Sequence, residues 1–584
     1  MPPRPIELAV EPSLGPLQVL GCVLLAILAW SGSIVRGGFA FDDREATLAN
    51  PVVTGALGAR AAFERDYWEH LGPAGHYRPL ATLALRADRA LWGDRPAGWH
   101  LTNVLLHALC VALLGWLLLL LGPTPHGDHL PWAGLAVFAV HPALADAVAW
   151  ISGRTALISA AGGLAGGVAL LALGVPWRPP SPARSLAAAV VSALGLACAL
   201  LGKEDGIVFA PLYLLLALRH SRGMALSSAL GCAGALALVL ALRAHALGSP
   251  WPQATHLPSP LSDSPARLWI GGRAILEGLR LVAFPAGYPP SYERSRELAP
   301  DAELLELKAC LGWSFWIALL AAGLFAARRR PRSAAAWSAA LAALSVAPVL
   351  QFVPAGALFA PRWLYLPLAF GAALVHAGWR AGSAAWPSPR ARAGAAALIL
   401  GLCICGAWQR AGVYADRGSF AEAVLAHEPH DAPAWNDLGL AREEQGNLAG
   451  ARAAFERSAA LDPRYSRPWS NLGRLALESG DVAGAERALR RAAELGPRNP
   501  VAQVNRGSLL LRLKRFEEAE ASYRRAIEIA PRMGAAWRGL GRALEEQGRL
   551  EPAREALQRA LGCDPSDGAA RAALERLAAR HERE

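Results

Sequence analysis

Lysine is nearly missing from this chain: Lys203, Lys308 and Lys514 are the only ones among 584 residues. The formal charge of +11 and the pI near 9.6 therefore rest on arginine, much of it in short loops between apolar segments. Basic loops so placed follow the positive-inside rule of membrane proteins and argue against nucleic acid as a partner. Cysteine gives no framework either. Seven of the eight (Cys22, Cys110, Cys198, Cys232, Cys310, Cys403, Cys405) fall within apolar runs, where a thiol behaves as a small hydrophobe. No disulfide set or zinc-ligand spacing is present, so no metal centre is expected, and His126, Asp128 and His129 sit in a short loop read as cytoplasmic. The N-terminal lead, Arg4 against Glu7 and Glu11, precedes an apolar stretch at 17–35 without a small-residue cleavage site. A retained span is expected there.

Charge itself is missing from residues 100–122, HLTNVLLHALCVALLGWLLLLLG. About 20 such residues at ~1.5 Å each cross a ~30 Å hydrocarbon core. With 53% hydrophobic residues and a mean hydropathy of +0.26, the chain reads as a polytopic helical membrane protein with a second unit behind it. Eleven spans are expected, at 17–35, 100–121, 131–149, 154–175, 185–201, 206–218, 224–247, 306–327, 333–353, 363–380 and 392–409. Residues 267–284 are amphipathic, with Arg273, Glu277 and Arg280 on one face, and suit a helix lying in the interface. Loop charge supports that choice: with the N-terminus inside, a twelfth crossing at 267–284 would force ARRRPR (327–332) outside. Eleven spans leave the C-terminus extracytoplasmic. The overlapping small-residue pairs of Gly162, Gly163, Gly166 and Gly167 predict close helix packing.

Beyond Trp408 the chain turns polar and a 34-residue period appears in Pro429, Pro463, Pro497, Pro531 and Pro565. Gly439, Gly473, Gly507 and Gly541 keep it, as do Ala451, Ala485, Ala519 and Ala553. Trp435, Trp469 and Trp537 mark a first helix, with Gln503 in the third copy, and Phe455, Leu489, Tyr523 and Leu557 a large position on a second. This is the tetratricopeptide pattern: small residues let paired helices approach, the large one fills the gap, and proline ends the unit. The fold class is all-α. The domains are a membrane unit at 1–411 with its first outer loop at 36–99, a linker with a partial repeat at 412–431, four repeats at 432–567, and a capping helix and tail at 568–584. Such α-solenoids bind extended peptides or partner helices.

Polar clusters punctuate the membrane unit, all on the outer face under the chosen topology: FDDREATLANPVV (41–53), HYRPL (76–80), HLTNVLLH (100–107), FAVHPALAD (138–146), SGR (152–154), GKEDG (202–206) and PRWLYLP (361–367). Each has a bland reading: Asp42 and Asp43 as a solvated loop, Lys203 and Glu204 as a turn ion pair, Arg154 as a topological anchor, His141 as a cap, and His100 and His107 as packing residues. Their shared face instead suggests one outward polar cavity.

The order Asp-Asp with a nearby Asn-Pro, then YRPL, HLTNxxLH, FAVHP, SGR, GKE and LYLP, followed by these repeats, resembles the transmembrane-and-tetratricopeptide protein O-mannosyltransferases, multi-spanning glycosyltransferases of the GT-C class. The resemblance implies an inverting enzyme that moves a sugar, expected to be mannose, from a polyprenyl or dolichyl phosphate to Ser or Thr hydroxyls of translocated polypeptides, with no cofactor. It implies Asp42 or Asp43 as the base, Asp42 favoured by motif alignment, and Arg78, His141, Arg154, Lys203, Glu204, Arg362 and Tyr365 as donor-site residues. Pro361 stands where the family pattern leads us to expect Glu, which questions an acidic role at that corner. The short array points to a bacterial member, in the inner membrane with the repeats outside, or in the endoplasmic reticulum with lumenal repeats if eukaryotic. The rival reading is a non-catalytic, membrane-anchored repeat scaffold for envelope complexes. A transporter would put polar residues at mid-membrane depth and ranks last.

Overall fold

The computed structural model describes residues 15–68, 75–121, 132–173, 181–250, 264–290, 304–329, 334–346, 350, 359–383, 388–497 and 499–581, and all regular structure among them is helical. His126, Asp128, His129 and part of the basic loop at 327–332 lie outside the described residues. Seven helices among those described are long and apolar enough to cross a bilayer: Gly15–Arg36, Pro96–Leu121, Arg154–Leu173, Pro182–Gly202, Arg222–Leu247, Leu307–Arg329 and Pro389–Val413. Several leave a row of large apolar side chains on the surface, such as Leu17, Leu20, Leu24 and Leu28 on the first, or Leu186, Val190 and Leu194 on the fourth. Rows of that kind suit lipid better than water.

The other four expected spans map onto Trp132–Val140, Phe209–Leu218, Ala334–Ser345 and Tyr365–Ser383. The first has nine residues; at ~1.5 Å each it reaches about half a hydrocarbon core. It stops where Pro142 removes a backbone donor, and a 3-10 turn (Pro142–Leu144) and a short helix (Ala145–Val148) continue the path expected as one span at 131–149. Phe209–Leu218 and Tyr365–Ser383 likewise begin after 3-10 turns, Glu204–Val208 and Pro361–Leu364. Irregular backbone at such depth is tolerated where protein buries it or a cavity receives it. These three breaks frame the site described below. At the opposite end, Arg219 donates to the Leu121 carbonyl, 3.1 Å, tying the ends of Phe209–Leu218 and Pro96–Leu121 together.

The amphipathic segment forms the helix Ser264–Ala283. Its charged face is divided: Glu277 and Arg280 pair at 2.5 Å, with the Arg280 side chain 39% exposed. Arg273 is buried, and Gly272 and Gly312 approach so closely that a Cβ on either would meet the other helix's backbone. The helix is a packed partner of Leu304–Arg329, held also by Trp313 donating to the Leu268 carbonyl, 2.8 Å. The glycine-rich run at 162–167 does pack helices: Tyr213 donates to the Gly163 carbonyl at 2.8 Å, and a Cβ on Gly166 would strike Tyr213 and Gly195.

The repeats form four helix pairs between Ala432–Glu444 and Leu550–Cys563, preceded by Arg417–Leu425 and followed by Gly568–His581. A Cβ on Gly439, Gly473, Gly507 or Gly541 would strike Phe455, Leu489, Tyr523 or Leu557 respectively, so each glycine receives the large side chain of its own pair. Ala451, Ala485, Ala519 and Ala553 are fully buried, and Trp435 and Trp537 donate to the carbonyls of Pro429 and Pro531, 2.9 and 2.7 Å.

Candidate functional site

Segments far apart in sequence meet at one end of the helical bundle. Arg78 of the first loop donates to Glu204 Oε2 at 3.1 and 3.3 Å. Asp43 reaches Ser152, and Asp146 reaches Arg362.

The two adjacent aspartates are held in opposite ways. Asp43 is buried and saturated: one oxygen accepts from the backbone N–H and hydroxyl of Ser152, 2.9 and 2.8 Å, and the other from the Ala40 N–H, 3.0 Å. Burial still lifts its carboxyl to about 7, against the pull of those hydrogen bonds. Asp42, the residue before the short helix Asp43–Thr47, is half-buried and its Oδ1 has no hydrogen-bond partner. Burial first, then the charges of Asp43 and Glu45, raise it well above the usual carboxylate range, while Arg362 and the Ser152 side chain oppose the rise. A buried, unpaired carboxyl oxygen is costly to keep and leaves its acceptor lone pairs unused. Tyr67 lies within the field of Asp42 and also carries a buried, unpartnered hydroxyl.

The cations around Asp42 are oriented by carboxylates. The Arg362 guanidinium and backbone N–H both donate to Asp146 Oδ2, 3.1 Å each, with the guanidinium 5.2 Å from the Trp150 ring centre. Asp146 Oδ1 accepts from Tyr414, 3.3 Å. Lys203 pairs with Asp205 at 2.5 Å; burial pushes its ammonium down, Asp205 resists, and Arg362 and Arg78 push it further. Against burial, Arg78 and His76 hold the Glu204 carboxyl well below the usual range. Beside Arg362 opens a small cleft lined by Ser159, Asp205, Ser345, Trp363, Tyr365 and Leu366.

Three residues expected at the donor site are occupied by the fold. Arg154 is buried, with Asp88 at 2.6 Å, Asn103 Oδ1 at 2.7 Å and the Trp99 carbonyl at 2.8 Å, so its fork has no room for a phosphate. His141 caps the 3-10 turn through Nδ1, which accepts from the Ala143 N–H, and its Nε2 meets the Val282 carbonyl at 3.1 Å. Tyr365 spends its hydroxyl on His107 Nδ1, 2.7 Å, within an aromatic core with Phe138. Sequence reasoning missed Asp88, Ser152 and Tyr414, whose partners lie 66, 109 and 268 residues away. A buried arginine implies a carboxylate partner, and RADRAL (86–91) offered one for Arg154.

Fold and site together define a multi-pass helical membrane protein with tetratricopeptide repeats. Models of the tetratricopeptide repeat match residues 432–465, 470–533 and 510–577. The chain is similar to the fruit fly (Drosophila melanogaster) protein O-mannosyl-transferase Tmtc1, 41% identical over 145 residues, 24% of this chain and 16% of that protein. It is also similar to the human (Homo sapiens) protein O-mannosyl-transferase TMTC2, 38% identical over 121 residues, 20% of this chain and 14% of the relative. The match thus spans less than a quarter of these relatives' length. Among solved structures, the Arabidopsis OM64 TPR domain is 27% identical over 19% of this chain and 93% of its own, with a TM-score of 0.19. MamA of Desulfovibrio magneticus RS-1 is 22% identical over 26% and 86%, with a TM-score of 0.24.

Proposed function

We propose that the chain is an inverting membrane glycosyltransferase that moves a sugar, mannose by analogy with the relatives' names, from a polyprenyl phosphate to Ser or Thr hydroxyls of translocated polypeptides. The observation that carries this reading is the buried, unpaired Oδ1 of Asp42 within the field of Arg362. An acceptor hydroxyl would donate to that oxygen, attack the anomeric carbon from the face opposite the phosphate, and lose its proton to Asp42 as the new C–O bond forms. The bond from the anomeric carbon to the phosphate oxygen breaks, and the polyprenyl phosphate leaves with the electron pair. Its extra charge would be met by Arg362 and Lys203, each already aimed by a carboxylate. Arg78 and Glu204 act as a pair that holds the first loop against the Glu204–Val208 turn.

The repeats would hold the acceptor polypeptide near the loop and raise its effective concentration. Glycoproteomics of a deletion strain and its parent tests the reading: hexose-bearing Ser or Thr peptides of exported proteins should vanish on deletion. Unchanged glycopeptides, with loss of an envelope complex when the repeats alone are removed, would favour the scaffold.

A further inference from the structure

The root of the repeat array grips both flanks of Asp42. Before it in sequence stands Phe41, whose φ of +47° is the left-handed region that a bulky residue rarely occupies. Its ring stacks on Phe420 of the Arg417–Leu425 helix, with centres 4.9 Å apart and planes 28° apart. After it stands Glu45, whose Oε1 accepts from Arg417 at 2.6 Å, and Arg417 is 8% exposed as a side chain. The first repeat joins in, since Glu444 lies 3.8 Å from Arg417 and 3.9 Å from Arg44. At the exit of the first span, a Cβ on Gly38 would strike the Ala415 carbonyl, so the linker and the loop are in backbone contact. Strained backbone persists only where its surroundings hold it. Here the surroundings of Phe41 include the helix that leads into the repeats.

We propose that Phe420 and Arg417 are positioning residues for Asp42, so that docking of the array's root sets the carboxylate for proton transfer. This rests on the reading of Asp42 as the base. It separates two roles for the array. If the repeats only hold the acceptor, damage to their root would raise KM for long polypeptides and leave short peptides untouched. If the root positions Asp42, turnover falls even for a peptide too short to reach the repeats.

The test uses the purified full-length protein, a polyprenyl-phosphate sugar donor, and two acceptors, a three-residue Ser peptide and a long Ser/Thr-rich polypeptide. Phe420→Ala and Arg417→Gln should lower kcat on the short peptide by about ten-fold or more with little change in its KM, as expected for a small misplacement of a reacting group. Phe420→Tyr should restore most of the turnover, and hydrogen exchange over residues 40–47 should quicken in Phe420→Ala alone of the two. A kcat within about two-fold of wild type in both damaging variants, or a defect confined to KM for the long acceptor, would overturn the proposal. Wild-type protein that transfers no sugar under any of these conditions would overturn the glycosyltransferase reading beneath it.

Discussion

Asp42 and Asp43 are neighbours of identical chemistry, and only their partners separate them. Asp43 collects three donors, so Asp43→Ala strands the Ala40 and Ser152 groups in the interior. A loss on the order of 2–3 kcal/mol is expected, read as a lower melting temperature of the purified protein. Asp42→Asn should leave that temperature unchanged or raise it, because the substitution removes a buried charge that lacks a partner at Oδ1. The pH profile follows from the same burial. Asp42 must be ionised to accept a proton, and its carboxyl is raised. Turnover should therefore climb with pH through a range above the ~4 of an ordinary carboxylate. Arg362→Gln removes the cation that opposes the rise, so kcat measured against pH should show that limb displaced upward. The sequence offered the aspartate pair, but not the hydrogen bonds that hold Asp43, whose partner Ser152 lies across 109 residues of chain.

At the scale of helices, the 34-residue period left little undetermined, since each small residue was read with the large one it receives. Gly473→Val would press a side chain against Leu489. It should destabilise the array by about 1–3 kcal/mol, visible as an earlier thermal transition of the whole protein. The membrane helices were legible by length and missing charge where they are regular. They were not where proline and 3-10 turns interrupt them at Pro142, Glu204–Val208 and Pro361–Leu364, because an apolar run looks the same broken or whole. Arg154 ties three helices, Pro79–Trp92, Pro96–Leu121 and its own, through Asp88, Asn103 and the Trp99 carbonyl. Arg154→Ala would leave Asp88 in place without its cation, at a cost of about 3–5 kcal/mol. Recovery of folded, detergent-extracted protein should collapse.

For the whole molecule, loop arginines assigned seven polar clusters to one face, and the segments carrying them do converge at one end of the bundle, together with the root of the repeats. Composition could give the face but not the contacts, since docking of the array on the first loop depends on single pairs such as Phe41 with Phe420. The topology expects that end to be extracytoplasmic. A membrane-impermeant maleimide should then label Arg515→Cys, on the exposed surface of the array, in intact cells. Labelling only after the membrane is opened would reverse the orientation. The most direct trial of the account is transfer itself. Purified wild-type protein should move mannose from a polyprenyl phosphate to a Ser/Thr peptide, and Asp42→Asn, folded and at equal concentration, should lose about two to four orders of magnitude in kcat. Transfer by Asp42→Asn at the wild-type rate would contradict it.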